Sequence, residues 1–374
     1  MPKPAPDMTT HHFTSSCPST RPRDVWLSIV SGERRGPAAA VARGGLAGMA
    51  ALYRAAFLLR DLWFRMPGST ARASRPVVSV GNLTVGGTGK TPMVAYLARL
   101  VGEMGGRPVI LSRGYGAASG GPNEEAIELS RLCPGVPHLQ NPDRRGALEG
   151  WVAANPCDVA ILDDGFQHRR LARSLDIVLI DALRPFGFGH VLPRGLLREP
   201  VSALCRADMV VITRAELATP AGVKLLKQTL LAYVRQGTPI LVAEHKPSGL
   251  VMADGSRREA TVLQGRDIAA ACGIGNPEAF RRTLQQAGAQ VRLFDTFADH
   301  YAYTTGDLDR LLRTAEAGGL RMLVTTGKDF VKWQPLLAGR RSLPPVDVAA
   351  LEVTMRVLEG EEALRREMDA LLRR

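Results

Sequence analysis

The stretch VSVGNLTVGGTGKTPMVAYLARL, residues 78–100, decides how the rest of the chain is read. It opens as an apolar run of strand character, passes through a glycine-rich turn and ends with apolar side chains at helical spacing. A phosphate-binding loop has the form G-x-x-x-x-G-K-[ST]. Its backbone N–H groups curl around phosphate oxygens at a helix N-terminus, its lysine neutralises them and its hydroxyl holds Mg2+. Gly89, Lys90 and Thr91 match that form, Gly86, Gly87 and Thr88 fill the turn, and Thr84 stands where the first glycine is usual. A strand before and a helix after are the context the motif requires, so the chain is expected to bind a nucleotide polyphosphate. A surface turn with a stray lysine does not account for the whole string GGTGKT.

Outward from this loop, short apolar runs alternate with helical stretches. PVVSVGN, RPVILSRG, CDVAILDDG, LDIVLIDA and ADMVVITR are candidate buried strands. That alternation predicts an α/β fold: a P-loop NTPase-like parallel sheet with helices on both faces, a smaller α/β second lobe and an N-terminal amphipathic helix. Ligands bind beyond the carboxyl ends of such strands, which puts Gly81, Ser112, Asp163, Asp181 and Thr213 on one rim. Past residue 236 the texture changes, and ILVAEHKP and EATVL read as further strands. The expected organisation is a disordered tail over 1–31, an interfacial helical region over 32–70, a P-loop core over 71–236, a smaller lobe over 237–333, and a segment over 334–374 that packs back on the core.

The chain has 374 residues, is 45% hydrophobic and carries a formal net charge of +12, which points to an anionic partner. Nucleic acid is disfavoured, because aromatics make up only 5% and no basic helix or aromatic-lined motif is present. The five cysteines are scattered without CxxC spacing, so neither a zinc site nor a disulfide framework is signalled, and a reducing, cytoplasmic setting is expected. Residues 38–66 are apolar but interrupted by Arg43, Arg54, Arg60, Asp61 and Arg65, too often for a membrane span. Such a segment either lies in a membrane interface with its arginines toward anionic headgroups or packs on the core as an ordinary amphipathic helix. The residues alone leave both open.

DVAILDDGFQHRRLAR ends an apolar run in Asp163 and Asp164, where carboxylates would meet a Mg2+ held by Thr91. The division of labour between the two acids is open, as is the place of His168 near the metal. A switch GTPase would carry N-K-x-D, which is missing. A partitioning-type membrane ATPase would carry an extra lysine where Val85 stands.

Together, VGNLTVGGTGKTP, LSRGYG, DDGFQHRRLARSLDIVLIDA, LPRGLLREP and ADHYAY resemble, in order and spacing, the tetraacyldisaccharide 4′-kinase family over roughly residues 32–333. The resemblance implies Mg2+-dependent phosphoryl transfer from ATP to the 4′-hydroxyl of a tetraacylated glucosamine disaccharide 1-phosphate. It also implies a monomer, peripheral at the cytoplasmic face of the inner membrane. A catalytic carboxylate after LSRGYG, paired with the histidine of a D-H-[YF] segment, maps onto Glu124 and His300, with Glu125 in the next acidic place and Asn123 where glycine is usual. Arg113 is placed on ATP or the moving phosphoryl group, and Arg194 or Arg198 on the substrate's 1-phosphate. In TTGKDFVKW, Gly327 replaces a glutamate, and Lys328 and Asp329 either bind nucleotide or join the lobes. The competing class is a P-loop membrane switch that hydrolyses ATP without an acceptor.

Overall fold

The computed structural model describes residues 22–114, 123–338 and 345–373. The tail over residues 1–21 and the last two residues of LSRGYG lie outside them. Residues 22–30, expected as part of that tail, instead form helix α1 (Pro22–Val30), which leads into α2 (Pro37–Trp63). The reason is tertiary: Trp26 Nε1 donates to the Pro193 carbonyl at 2.8 Å and Arg194 Nη1 to the Val30 carbonyl at 3.3 Å, contacts that local composition cannot reveal.

The sheet begins with β1 (Val77–Asn82), followed by α3 (Lys90–Glu103), β2 (Pro108–Ser112), α4 (Glu124–Leu132), β3 (His138–Gln140), α5 (Arg144–Val152), β4 (Val159–Asp163), β5 (Leu175–Asp181) and β6 (Met209–Thr213). Each long strand is almost wholly buried and rich in Val, Ile and Leu, as strands covered on both faces are. They lie in the order β6-β5-β1-β4-β2-β3, all parallel, so β1 has Asp163 of β4 on one side and β5 on the other. After α6 (Pro220–Leu231) the chain enters β7 (Ile240–Met252) and β8 (Arg257–Arg258). It continues through β9 (Asp267–Cys272), α7 (Pro277–Gln286), β10 (Gln290–Thr296), α8 (Thr305–Ala317) and β11 (Met322–Thr326), then α9 (Gly327–Ala338), β12 (Asp347–Glu359) and α10 (Glu361–Leu372).

The smaller lobe is not a separate sheet. β7 pairs parallel with β6 at its start and then antiparallel with β12 along nearly all of its 13 residues, while β12 also pairs with β11. One twelve-stranded sheet therefore runs through both halves, with the β7–β12 pair as its seam. The expected boundary at residue 333 falls inside α9, and 334–374 is more than a segment packing back: β12 is part of the sheet, while α10 buries Leu364, Met368 and Leu371 beside α3. EATVL is a 3₁₀ turn over Ala260–Leu263 rather than a strand, because Leu263 is the side chain that packs inward and the chain must turn to enter β9.

Candidate active site

β1 delivers the chain to the rim, and the P-loop follows. Thr84 replaces glycine without strain because that position is extended, bridging antiparallel to Leu197. The left-handed backbone falls later, on Gly86 (φ 120°) and Gly89 (φ 91°), where glycine is tolerated best. Thr213 Oγ1 donates to the Thr88 carbonyl at 2.8 Å, pinning the loop to the end of β6. Gly89 is the N-cap of α3, so Lys90 and Thr91 open the helix at its positive end.

The segment LPRGLLREP is stitched to the same loop. Val85 N donates to the Leu196 carbonyl at 2.8 Å and Arg198 N to the Leu83 carbonyl at 2.7 Å. That stitching directs Arg198 inward, where Nη1 donates to both oxygens of Asp164 at 2.8 and 3.0 Å. Lys90 Nζ is 3.4 Å from Asp164 and 3.3 Å from Asn82 Oδ1. Burial opposes ionisation of Asp164, but Lys90 and Arg198 outweigh it and hold the carboxyl well below its usual range. Asp163 is different: it is 4% exposed, and its Oδ1 has no hydrogen-bond partner. Burial, aided by the negative charge of Glu125, pushes it up to about 7.

Across a cavity of about 400 Å³, the second half supplies the other wall. The halves touch at glycines: a Cβ on Gly275 would stand 3.3 Å from Gly86 Cα, so the approach is close. α4 starts with Asn123 as N-cap, its Oδ1 accepting from Ala126 N at 2.9 Å and from Gln140 Nε2 at 2.7 Å. The cap fixes Glu124 in the first turn, and its Oε2 lies 3.5 Å from His300 Nδ1 and 3.2 Å from Lys332 Nζ. Burial raises the pKa of Glu124, yet His300, Lys332 and Lys328 together hold it below its ordinary value. Lys328 Nζ is 3.2 Å from His300 Nε2 and 3.6 Å from Asp299 Oδ1. His300 itself has φ 60°, a left-handed conformation that a non-glycine residue adopts at a cost.

Of the residues singled out in the sequence, the structure gathers Gly86 to Thr91, Glu125, Arg198, His300 and Lys328 around the cavity, with Glu124, Asp163 and Asp164 at its edge. It leaves others out. Arg194 is engaged with the Val30 carbonyl, because its loop serves as the seat of α1. Arg113 is exposed at the end of β2 beside Arg144 and His168, outside the cavity lining. Asp329 is fully buried and structural: its Oδ2 accepts from Gly273 N and Thr326 Oγ1, both at 2.8 Å. Burial, with the charges of Arg144 and other arginines, lowers the pKa of His168 to about 4.

Three cavity-side residues were not legible. Lys332 has a signal in hindsight, since Lys328 and Lys332 are four apart and share a helix face. Arg214, held by Asp181, and His245 have none: each sits in a stretch that reads as a strand or its end.

The family model for tetraacyldisaccharide-1-P 4′-kinase matches residues 43–373. A tetraacyldisaccharide 4′-kinase of Anaeromyxobacter dehalogenans is 42% identical over 360 residues, covering 91% of each chain. One from Geobacter sulfurreducens is 38% identical, covering 88% of this chain and 97% of its own. Among solved structures, LpxK from Aquifex aeolicus in complex with ATP is similar, with 29% identity and a TM-score of 0.66 over 88% of this chain and 99% of that one. The resemblance in the motifs thus extends over the fold and nearly the whole length, and the chain belongs to the tetraacyldisaccharide-1-P 4′-kinase family.

Proposed function

We propose that the chain transfers the γ-phosphoryl group of ATP to the 4′-hydroxyl of a tetraacylated glucosamine disaccharide 1-phosphate. One observation carries the catalytic assignment: beside the P-loop, Glu124 of the same half of the sheet meets His300 of the other half at the same cavity. Phosphoryl transfer makes little demand on covalent chemistry and much on positioning and charge. The P-loop N–H groups and Lys90 cradle the polyphosphate. Glu124 accepts the proton of the sugar hydroxyl as its oxygen attacks, and His300 and Lys332 hold the carboxylate in its anionic form. Arg198, fixed by Asp164, presents its guanidinium toward the transferring group.

The residues present fit Mg2+. The unpartnered Oδ1 of Asp163 and the hydroxyl of Thr91 are hard oxygen donors. Mg2+ is commonly held by one or two protein oxygens together with phosphate oxygens and water. Asp163 is the better ligand, because Asp164 is committed to Lys90 and Arg198. When bound, the ion neutralises charge on the phosphate oxygens.

The acceptor's lipid character is supported by α2. One stripe of this helix, including Ala39, Ala50, Phe57 and Asp61, packs on the protein. The opposite stripe carries Val41, Leu52, Leu59 and Trp63, which are 77%, 74%, 70% and 62% exposed. A helix apolar on its outward side, with arginines along its flanks, suits a membrane interface. No helix among the described residues is long and apolar enough to cross a membrane. From the exposed apolar stripe of α2 we read the contact as peripheral, and we assign it to the cytoplasmic face of the inner membrane.

The test is transfer of label from γ-32P-ATP to a tetraacyl disaccharide 1-phosphate in detergent micelles. Labelled lipid supports the reading. ATP consumption without labelled lipid would overturn it in favour of a membrane switch.

A further inference from the structure

One polar group in the cavity has no part in the chemistry above. His245 lies in β7 beyond Val242, the last residue paired with β6, and so on the rim that carries the P-loop. It is 6% exposed, its ring lines the cavity, and its Nε2 has no hydrogen-bond partner. Burying such a group unpaired costs free energy that an apolar side chain of similar size would not incur. Its position against the P-loop is close: a Cβ on Gly89 would stand 2.3 Å from Nε2, so the imidazole lies directly against the backbone at the N-cap of α3. Arg214, buried and paired with Asp181, lines the same wall.

We propose that His245 is a nucleotide-binding residue whose Nε2–H donates a hydrogen bond to an oxygen of the bound nucleotide from the β7 side of the P-loop. The rim position, the contact with Gly89 and the unpartnered nitrogen each point to the same occupant, since the backbone of Gly89 is part of the polyphosphate cradle. Burial, with the charge of Arg214, lowers the imidazole pKa to about 3, so the donor is neutral throughout the working range. The contact is then a neutral N–H···O bond that tunes affinity for nucleotide and leaves the lipid acceptor untouched. The inference rests on ATP as the nucleotide and is independent of the acceptor's identity.

The test compares H245Q with H245M in the full chain. The two side chains are alike in length, but only Gln offers an N–H near the position of Nε2. ATP binding is measured by titration calorimetry without lipid, with inorganic tripolyphosphate as a second probe, and the Tm is measured without nucleotide. H245M is expected to weaken ATP binding by about tenfold or more, as loss of a buried hydrogen bond does, with H245Q within about threefold of the parent. The nucleotide-free Tm of H245M should equal or exceed the parent's, because the unpaired nitrogen is gone. A loss shared by tripolyphosphate places the acceptor on the phosphates, and a loss confined to ATP places it on the ribose. Equal ATP affinity in H245M and the parent would overturn the proposal. So would an H245M that fails to fold while H245Q folds, since the imidazole would then be a structural element.

Discussion

Glu124 Oε2 and His300 Nδ1 stand 3.5 Å apart, although one belongs to the first turn of α4 and the other to the loop after β10. The pair exists only because the two halves of the sheet meet across the cavity. A carboxylate base contributes to the rate of a proton transfer and little to nucleotide affinity. Glu124→Gln should therefore lower kcat by about 10²- to 10⁴-fold while the Kd for ATP stays within about threefold. Labelled-lipid formation and calorimetry read the two separately. A large loss of ATP affinity instead would mean that Glu124 shapes the nucleotide site.

Lys332 gives a test of the electrostatics. It lies 3.2 Å from Glu124 and is one of the groups that hold the carboxyl below its ordinary pKa. In the proposed mechanism the active form of Glu124 is the anion, so activity is lost as pH falls through its pKa, and a depressed pKa keeps that acid limb at low pH. Removing Lys332 removes a lowering influence, so in Lys332→Met the acid limb of kcat/KM should move to higher pH. A limb that stays in place would assign the titration to another group.

Much of this arrangement was readable before any coordinates, and the parts that were not share a cause. Residues 78–100 could be placed because strand, turn and helix follow from local pattern, and the phosphate chemistry follows from the turn. Glu124 and His300 could be proposed as a pair only because the family resemblance maps a carboxylate and a histidine onto them. What escaped was everything set by packing between distant segments. Arg194 reads like Arg198, but only the latter is directed inward by the Leu83 carbonyl, while the former is used to seat α1. α1 was invisible because its partner, Pro193, lies in another segment. The single sheet was missed because a long antiparallel β7–β12 seam leaves no mark in either strand's composition.

The two adjacent aspartates should separate under Mg2+ titration. Asp163 carries the free buried oxygen, whereas Asp164 is held by Lys90 and Arg198. Asp163→Asn should raise the Mg2+ concentration needed for half-maximal activity by at least about tenfold, as loss of a metal ligand does. Asp164→Asn should lower kcat with a smaller change in that midpoint, because it frees Arg198. Equal shifts in both variants would mean that the carboxylates share the ion.

The outward face of α2 predicts a loss of membrane binding without loss of fold. Leu52 and Leu59 are 74% and 70% exposed, so Leu52→Glu with Leu59→Glu removes no core contact and should leave stability within about 0.5 kcal/mol per site. Co-sedimentation with anionic vesicles should fall several-fold, while activity on a substrate dispersed in detergent falls less. Unchanged sedimentation would sink the interfacial reading of this helix.

α2 is also tied to the active-site loop, and that tie can be cut at one residue. Glu199 is 1% exposed and accepts from Arg60 of α2 at 2.7 Å and from Arg206 at 2.6 Å. Next to it, Tyr53 of α2 donates to the Arg198 carbonyl at 2.8 Å. Arg206 stacks over Phe166 with its guanidinium carbon 4.3 Å from the ring centroid, so it cannot swing out without losing that contact. Replacing Glu199 with Gln leaves Arg206 in place without its counter-charge, which typically costs about 3 kcal/mol or more. Arg60→Met removes a partner whose side chain is 41% exposed, a loss of at most about 1 kcal/mol. Glu199→Gln should therefore lower the Tm by several degrees and Arg60→Met by little. Both should reduce kcat through the loosened Arg198, with ATP affinity retained. If Arg60→Met left kcat at the level of the parent protein, α2 would be an anchor only, with no hold on the geometry at Asp164.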